Sequence, residues 1–362
     1  MHVGYHLGWQ NWRQNLTDEG MYRAELKLLD QVEEQGFDSI WSVEHHFDDF
    51  AMCPDATQVL SYLAARTSTI ALGTGAVILP WNDPLRVVEK LIMLDHLSEG
   101  RLLVGLGRGL AKREFDGFRV DMKEARERFD EAARMVLRGL ESGVVENDGP
   151  YYPQPRVEVR PRPTRSFADR LFCVAMSPDS QLIAAELGAT MMTFVQYPAE
   201  VHAAAIARYR ALFVEWHGRP PGPPVMTDFT YCHADPAEAE RRAREAIGNY
   251  FVSVVQHYDF AGEHFAGIKG YTDYAAGAAA IREAGMENAA RAFVDSQIWG
   301  TPDQIVEKYR RRLEVTGPVQ ANVVFSHGGL GYGEIEASQR LFAAEVLPQL
   351  KELTAPLPSG MP

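Results

Sequence analysis

Residues 38–47 read DSIWSVEHHF and place a carboxylate and two histidines directly after a short apolar strand signal, residues 38–43. The carboxyl ends of parallel strands meet at one edge, and in an α/β barrel this rim is where catalytic side chains gather. Two later stretches also combine apolar residues with glycines: residues 70–80 read IALGTGAVILP, and residues 100–109 read GRLLVGLGRG. The three stretches therefore predict strands whose ends contribute to one site.

Around these stretches, short β-branched runs alternate with longer amphipathic segments, which predicts eight strand–helix units. Repeated right-handed crossovers bury a parallel sheet on both faces, so the expected fold is an α/β (β/α)8 TIM barrel. A doubly wound open sheet is the alternative, but it would carry a glycine fingerprint after the first strand, where residues 6–12 read HLGWQNW. The predicted strands are residues 3–7, 39–43, 70–79, 101–106, 171–175, 189–195, 225–233 and 321–326, and the predicted helices are residues 19–35, 54–66, 84–97, 123–140, 178–187, 198–217, 236–251, 301–316 and 334–353.

Two insertions interrupt the alternation. Residues 143–168 contain five prolines, which exclude a regular helix there, and residues 257–300 are rich in glycine, alanine and aromatic residues. Long loops inside a barrel are uncommon unless they are functional, so the second insertion is expected to be either an aromatic lid over the site or an oligomer contact. We predict one domain over residues 1–354 and a flexible tail over residues 355–362.

Composition narrows the function classes. The formal net charge of −13 argues against non-specific nucleic-acid binding, which needs a basic face. Cys53, Cys173 and Cys232 are far apart and include no CxxC pair, so neither a disulfide framework nor a thiolate zinc site is expected. The amino terminus lacks the basic start and apolar run of a signal peptide, and no stretch is long enough to span a bilayer. A cytoplasmic protein without a membrane partner is expected.

Glu44, His45 and His46 admit three interpretations. They form a hydrogen-bonding cluster at a strand end, a metal site, or an acid/base group, for which an imidazole suits neutral pH. Adjacent histidines on a strand point to opposite faces, so a shared metal would need help from His6 or His327 at other strand ends. We therefore expect no metal.

The glycine-rich stretches and one helix start suggest binding of a flat, anionic ligand. The GTGA sequence of residues 73–76 is typical of a bulge that relieves crowding inside a barrel. In residues 105–109, GLGRG, backbone N–H groups and Arg108 are suited to an anion, although a flexible turn with a solvent-facing arginine is the plainer alternative. Ser177 precedes Pro178 as a helix N-cap, and helix starts of this kind also bind anions.

The order and spacing of these motifs resemble the bacterial luciferase-like family of flavin-dependent oxidoreductases, whose members share the TIM barrel. The resemblance rests on EHHF at residues 44–47, GTGAVILP at residues 73–80 and LDHLSEGRLLVGLGRG at residues 94–109. It extends to GTPDQIVEKYRRRLEVTG at residues 300–317 and LFAAEVLPQL at residues 341–350. Each motif is modest alone, whereas their common order along nearly the whole chain is specific.

The resemblance implies roles for individual residues. His45 occupies the place of a catalytic histidine, His46 supports it, and Glu44 lies near the edge of the flavin. The family carries a non-prolyl cis peptide under the flavin ring, and Gly75-Ala76 matches that position. Cis peptides of this kind are found mainly at functional sites.

The resemblance also places the flavin phosphate. Arg108 and Ser177 match family positions that contact the phosphate, and Val174, Ala175 and Met176 are expected to bind the cofactor beside Ser177. Met176 stands where the family pattern has a glutamate that contacts the flavin, which leaves the ring contact open while Ser177 keeps the phosphate contact.

Two further positions bear on the chemistry. Gly107 stands where luciferase α subunits have a reactive cysteine, and its absence weakens a prediction of light emission more than one of oxygenation. Glu114 falls where those subunits have an aspartate near the mobile lid, and it fits a surface carboxylate equally well.

By resemblance, the protein is a monooxygenase. Reduced FMN would come from a separate NAD(P)H:flavin reductase and would react with O2 to give a C4a-(hydro)peroxyflavin, with His45 as the acid/base. The substrate would be a small organic molecule with an apolar part, held by Phe47, Trp81 and Phe194, and the chain would pair as a homodimer. The alternatives are an F420-dependent oxidoreductase of the same superfamily, a non-catalytic flavin-binding or silent subunit, and a metallohydrolase.

Overall fold

The computed structural model describes residues 1–260, 262, 264–265, 267–268 and 270–353. The tail predicted over residues 355–362 lies outside the described residues. The strands, in chain order, are β1 (Val3–Leu7), β2 (Ser39–Ser42), β3 (Ala71–Thr74), β4 (Val77–Ile78), β5 (Leu102–Gly107), β6 (Val144–Asn147), β7 (Gln154–Glu158), β8 (Leu171–Val174), β9 (Thr190–Phe194), β10 (Val225–Phe229), β11 (Tyr231–Cys232), β12 (Trp299–Gly300) and β13 (Gln320–Val324).

The predicted barrel is confirmed. Eight parallel strands pair in the order β3, β2, β1, β13, β10, β9, β8 and β5. The ring closes because β3 also pairs with β5, with Leu72 opposite Leu102 and Gly73 opposite Leu103. Closure leaves these strands without a free edge and brings all their carboxyl ends to one mouth.

Helices surround the ring. In chain order they are α1 (Asp18–Leu29), α2 (Ala56–Ala64), α3 (Pro84–Leu97), α4 (Lys112–Phe118), α5 (Ala125–Ser142), α6 (Pro178–Glu186), α7 (Ala199–His217), α8 (Pro236–His257), α9 (Thr272–Ala284), α10 (Met286–Ser296), α11 (Pro302–Thr316), α12 (Tyr332–Leu341) and α13 (Leu347–Glu352), with a π-helical stretch at Phe342–Val346. No helix among the described residues has both the length and the apolar character needed to cross a membrane.

Local sequence explains where several of these helices begin. Asp55, Asp83 and Ser177 cap α2, α3 and α6 by accepting backbone N–H groups of the first turn. Proline occupies the first turn of α3 and α6, where its missing N–H costs nothing. The caps matter for function because they fix the helix starts that come after the strand ends.

The structure departs from the expected elements at two strands. The strand predicted over residues 70–79 divides into β3 and β4 at the Gly75–Ala76 peptide, which is cis. The strand predicted over residues 225–233 divides into β10 and the short β11, which pairs with β12 instead of with the barrel. Neither break changes the order of the ring.

The insertions are more regular than the sequence suggests. In the first, β6 and β7 pair as an antiparallel ribbon, which is consistent with the prolines that exclude a helix. In the second, the irregular chain expected over residues 257–300 is wrong in part, because α9 and α10 form there. Residues 272–284 read TDYAAGAAAIREA, and alanine is the strongest helix former. The short helix α4 was not predicted.

A separate apolar cluster packs inside the ring of strands. It comprises Trp41, Phe172, Met192 and Val225, whereas Ile40, the neighbour of Trp41 on β2, belongs to the larger core between strands and helices. The indole of Trp41 occupies the space over Gly73, where a Cβ atom would lie 2.3 Å from the ring. The small residue predicted to relieve crowding therefore does so against one tryptophan.

Replacement of Gly73 by alanine is expected to lower the free energy of unfolding by about 1–3 kcal/mol, because the added methyl group must displace the Trp41 indole. Urea denaturation followed by circular dichroism measures the change. Gly333→Ala on α12 is the control, since a Cβ there meets nothing within 4 Å. Equal stabilities for the two variants would contradict the packing described for Gly73.

Candidate active site

A cavity opens at the mouth of the barrel, where the sequence predicts the site. Its wall is built from strand ends that are distant in sequence but adjacent in the ring. Predicted site residues in the wall are Glu44 and His45 after β2, Gly75 and Ala76 between β3 and β4, Arg108 after β5, Val174 and Met176 at the end of β8, and Phe194 at the end of β9.

A buried carboxylate from α4 anchors His45. The Nδ1 atom of His45 lies 3.0 Å from Oε1 of Glu114, and the same oxygen accepts the backbone N–H of His46 at 2.8 Å. Because a carboxylate only accepts, the proton of a neutral His45 ring is assigned to Nδ1, which leaves Nε2 as the acceptor. Nε2 lies 3.4 Å from the hydroxyl group of Tyr258. The ring is thus oriented from both sides.

Glu114 is only 1% exposed, so the plainer interpretation as a surface carboxylate is wrong. Burial opposes its ionisation, but the charge of His45 and hydrogen bonds from His257 and His45 outweigh burial and hold the pKa of the carboxyl well below its ordinary value. Glu114 is therefore the permanent anion beside His45.

His257, from the end of α8, approaches Glu114 on the other side. Its Nε2 lies 3.6 Å from Glu114 Oε1, and its Nδ1 lies 3.2 Å from Oδ2 of Asp48. The polar atoms of His45, Glu114 and His257 lie within 4.8 Å of one another, a spacing that also admits a cation. The Glu114 oxygen between them already accepts the His46 amide, and hydrogen bonds and charge account for the cluster.

Glu44 holds the loop after β4. Its Oε1 accepts hydrogen bonds from Trp81 Nε1 at 2.8 Å and Asn82 Nδ2 at 2.9 Å, and its Oε2 accepts from the backbone N–H of Ile78 at 3.3 Å. His46 Nε2 lies 3.4 Å from Oε1. The carboxylate lies in the cavity wall, but its contacts are to protein groups that shape this wall.

One side of the cavity is a nearly flat surface of small residues. The Gly75–Ala76 peptide is cis, as the resemblance implies. Gly107 lies against it, since a Cβ at Gly107 would be 3.3 Å from that of Ala76 and 2.7 Å from Cδ1 of Ile78. The cysteine of luciferase α subunits would not fit here without movement of Ile78. The surface suits a planar ring.

His6 borders this surface and is fully buried. Within the described part of the chain neither of its ring nitrogens has a hydrogen-bond partner, and Nε2 would lie 3.1 Å from a Cβ at Gly75. Burial lowers the pKa of His6 to about 4, so the ring is neutral near neutral pH. It offers a bound molecule one donor and one acceptor.

A cationic cradle is formed by Arg108, Arg126, Ser177 and Ser180, of which Arg108 and Ser180 lie in the cavity wall. Nη2 of Arg108 donates to the carbonyl of Gly270 at 2.8 Å, but its Nε and Nη1 have no partner among the described residues although they are buried. Arg126, on α5, donates to Ser180 Oγ at 3.3 Å and its Nη1 lies 3.6 Å from Oδ1 of Asp130, while its Nε has no partner in the described part of the chain. Burial, reinforced by the charge of Arg108, lowers the pKa of Arg126. The plainer interpretation, a solvent-facing Arg108, is wrong.

The start of α6 completes this cradle. The Ser177 hydroxyl caps the helix by accepting from the Ser180 N–H, and it lies 2.8 Å from the Ser180 hydroxyl. Buried donors without partners are costly, and two arginines beside a helix N-terminus are suited to a dianion such as a phosphate monoester. The residues present fit the phosphate of a flavin mononucleotide.

Other predicted residues have mixed positions. Met176 lies in the wall, and its sulfur accepts a hydrogen bond from Thr193 Oγ1 at 3.0 Å. Ala175 lies behind the wall, and its backbone N–H donates to the carbonyl of Met192. Phe47 and Trp81 lie outside the cavity wall, contrary to expectation. Phe47 is 63% exposed because its φ of 62° turns the side chain outward. Trp81 instead packs on aromatic neighbours and donates to Glu44.

The second insertion contributes side chains to the cavity. Tyr258, Tyr274 and Phe293 form part of the wall. The ring of Tyr271 lies 4.0 Å below the Arg108 guanidinium, and its hydroxyl donates to the carbonyl of Gly109. The insertion therefore covers the mouth of the barrel.

Sequence reasoning missed Arg126, Ser180 and His257. Arg126 interrupts the apolar face that Ala125 and Phe129 begin on α5, which is a weak signal of a buried cation. Ser180 lies three residues after the Ser177 cap, the spacing of a helix first turn. Nothing local marks His257, because its partners come from other parts of the chain.

Comparison with known proteins agrees with this geometry. The family model described as luciferase-like monooxygenase matches residues 1–319, and the chain belongs to this family. Relatives include the alkanal monooxygenase alpha chain of Aliivibrio fischeri, 28% identical over 322 residues that cover 88% of this chain and 90% of that one. The corresponding chain of Photorhabdus luminescens is 26% identical over 342 residues, with coverage of 90% and 91%.

Solved structures share the fold over nearly the full length. The monooxygenase RslO1 from Streptomyces bottropensis superimposes with a TM-score of 0.77 at 26% identity, covering 97% of this chain and 100% of that one. The oxygenating constituent of 3,6-diketocamphane monooxygenase from Pseudomonas putida, in complex with FMN, gives 0.72 at 19% identity with coverage of 98% and 99%. The coenzyme F420 dependent tetrahydromethanopterin reductase from Methanopyrus kandleri gives 0.68 at 21% identity with coverage of 96% and 98%.

The Glu114→Gln variant is expected to be less stable than wild type near neutral pH, because the buried anion beside His45 is lost. Since the pKa of Glu114 is lowered in the folded protein, its contribution is complete above the unfolded value of about 4.3 and is lost as the pH falls further. Thermal unfolding between pH 3 and pH 7 should show a constant gap above about pH 4.3 that narrows toward the acid end. Glu146→Gln, at an exposed position on β6, is the control; a gap for Glu114→Gln that stays constant with pH would contradict the assignment.

Proposed function

We propose that this chain is a flavin-dependent monooxygenase which uses reduced FMN from a separate reductase, together with O2, to oxygenate a small organic substrate. The observation that carries the proposal is the presence in one cavity of an oriented imidazole, His45 on Glu114, and an arginine–serine cradle with free buried donors. The first group serves proton transfer, and the second serves a phosphate.

The chain's own residues would hold the cofactor at both ends. Arg108, Arg126, Ser177 and Ser180 bind the phosphate, chiefly through Nε and Nη1 of Arg108 and Nε of Arg126, which have no partner among the described residues. The cis Gly75–Ala76 peptide and its small neighbours receive the planar ring. When bound, reduced FMN supplies the electrons that activate O2.

His45 handles the proton. Glu114 keeps one proton on Nδ1, so Nε2 is the atom that accepts a proton from the reacting groups and returns it. Tyr258 lies 3.4 Å from Nε2 and is itself in the cavity wall, where it orients this atom. Burial raises the pKa of the Tyr258 hydroxyl well above its ordinary value, so it remains protonated and able to donate.

The remaining wall suits an apolar substrate and excludes water. Phe194, Phe229, Tyr250 and Phe293 face the cavity, together with aliphatic side chains. An apolar wall of this kind keeps bulk water away from the reacting groups. Aliphatic aldehydes are the first substrates to test, since the relatives are named for alkanal oxidation.

The chain has no nicotinamide-binding fingerprint, which supports the dependence on a separate NAD(P)H:flavin reductase. Homodimer formation through α2 and α3 is also proposed. Its support is the exposure of Tyr62, Met93 and Leu97 on these two helices.

The test of the function is a reaction of the purified protein with chemically reduced FMN, oxygen-18 gas and a panel of aliphatic aldehydes and ketones. Mass spectrometry of the organic product is expected to show one labelled oxygen atom. Reduction or oxidation of a substrate by F420 without oxygen, and no labelled product with FMN, would favour the F420-dependent alternative. Binding of FMN without any turnover would favour a silent subunit.

Replacement of Arg108 or Arg126 by alanine is expected to weaken FMN binding about ten- to a hundredfold, because each removal costs charge-assisted hydrogen bonds to the phosphate. Binding of riboflavin, which lacks the phosphate, should change little. Isothermal titration calorimetry measures both affinities. Arg134→Ala, which removes a surface cation of the same helix α5, is the matched control; equal losses for FMN and riboflavin would place the phosphate elsewhere.

His45→Ala is expected to reduce formation of labelled product by about a hundredfold or more, since it removes the acid/base group, while FMN affinity stays within about threefold. Rapid-quench measurement of product with saturating reduced FMN checks this. His96→Ala, at an exposed site away from the cavity, is the control. Undiminished product formation would exclude His45 from proton transfer.

A further inference from the structure

His257 has no role in the proton transfer described for His45 and Glu114, but it contacts Glu114. Its side chain is completely buried, with Nδ1 3.2 Å from Asp48 and Nε2 3.6 Å from Glu114. The ring stacks on Phe50 at a centroid distance of 4.4 Å and an interplanar angle of 15°. Packing on its face fixes the ring, and each nitrogen faces a carboxylate: Nδ1 at hydrogen-bond distance, and Nε2 at a longer ion-pair distance with no hydrogen-bond partner among the described residues.

Both neighbours of the ring are acceptors. A neutral imidazole carries one N–H, so it would turn a lone pair toward one of the two carboxylates; only the imidazolium form donates toward both. The other polar groups around the ring are the His45 ring at 5.0 Å, the Tyr258 ring at 4.8 Å and Arg113, which pairs with Asp48. Arg113 is partly exposed and pairs with Oδ2 of Asp48, the same oxygen that faces His257 Nδ1, so this oxygen is shared by the two groups.

Glu114 then serves two imidazoles. It lies 3.0 Å from His45 Nδ1 and 3.6 Å from His257 Nε2, and it also accepts the His46 amide. An imidazolium at His257 already balances its negative charge. A second positive charge on the His45 ring, 5.0 Å away, would be opposed by like-charge repulsion.

We propose that His257, clamped as an imidazolium between Asp48 and Glu114, is a positioning residue that keeps His45 neutral, with its proton on Nδ1 and the lone pair of Nε2 free toward the cavity. The importance of this form rests on the proposed function, in which His45 Nε2 accepts a proton. The clamp itself is a property of the protein without cofactor.

Nitrogen-15 NMR of the labelled, flavin-free protein tests the proposal, because the two ring nitrogens report tautomer and charge directly. His45 and His257 are assigned by comparison with His45→Gln and His257→Gln. At pH 7 we expect both nitrogens of His257 to carry protons and His45 to be neutral with the proton on Nδ1. A neutral His257 ring at pH 7, which needs no variant to observe, would overturn the proposal.

The variants then test the coupling. In His257→Gln the pH midpoint of the His45 resonances is expected to rise by about one unit, since a nearby cation has been removed. His96→Gln is the matched control and should leave it unchanged. An unmoved His45 midpoint in a folded His257→Gln protein would show that His257 is only structural. Stoichiometric zinc in the purified protein would also overturn the proposal, because both rings would then bind the metal.

These measurements use no flavin. Failure of FMN to bind would therefore count against the proposed function alone, and a neutral His257 would count against the clamp alone.

Discussion

Closure of the strand ring between β3 and β5 is the constraint on which the site depends. The pairing of Leu72 with Leu102 places the ends of β2, β3 and β5 side by side, although they are far apart in the sequence. Because the strands are parallel, the segments after their carboxyl ends meet at one mouth: the His45 segment, the cis Gly75–Ala76 peptide and Arg108. An open sheet with the same strands would have left these groups on two edges. The larger inner side chains, above all Trp41 over Gly73, fill the interior of the ring.

The mouth buries charges of both signs at separate places. Arg108 and Arg126 each have a nitrogen without a partner among the described residues, and Glu114 lies among imidazoles and an amide. Buried charge is unfavourable unless it is paired. Glu114 has charged and hydrogen-bonding neighbours within 3.6 Å, whereas Arg108 has no carboxylate partner in the described part of the chain and Arg126 has only Asp130, at 3.6 Å. The difference in pairing agrees with the proposed roles: Glu114 orients His45 inside the protein, whereas the arginines bind an anionic ligand.

The sequence predicts the ring well because strand and helix periodicities are local properties, and every barrel strand lies close to its expected place. The resemblance adds the cis peptide at Gly75–Ala76, which no periodicity indicates. Contacts between residues that are distant in the sequence could not be predicted in this way, because no local pattern records them. Glu114 reaches His45 from the unpredicted helix α4, and its partner His257 lies in a region expected to be irregular. Phe47 comes directly after His46 in sequence, yet a left-handed backbone at Phe47 sends its side chain away from the cavity.

The position of Gly270 carries a thermodynamic consequence. One nitrogen of the Arg108 guanidinium donates to the Gly270 carbonyl, and the guanidinium stacks on Tyr271, while its two other nitrogens have no partner among the residues that the structure describes. Gly270 approaches so closely that a Cβ would lie 2.3 Å from Arg108 Nη1. An anion held by the free nitrogens therefore shares its binding group with this segment of the covering insertion. Anion binding and docking of this segment are therefore thermodynamically linked. If the anion changes the free energy of docking, the docked segment changes the binding free energy of the anion by the same amount.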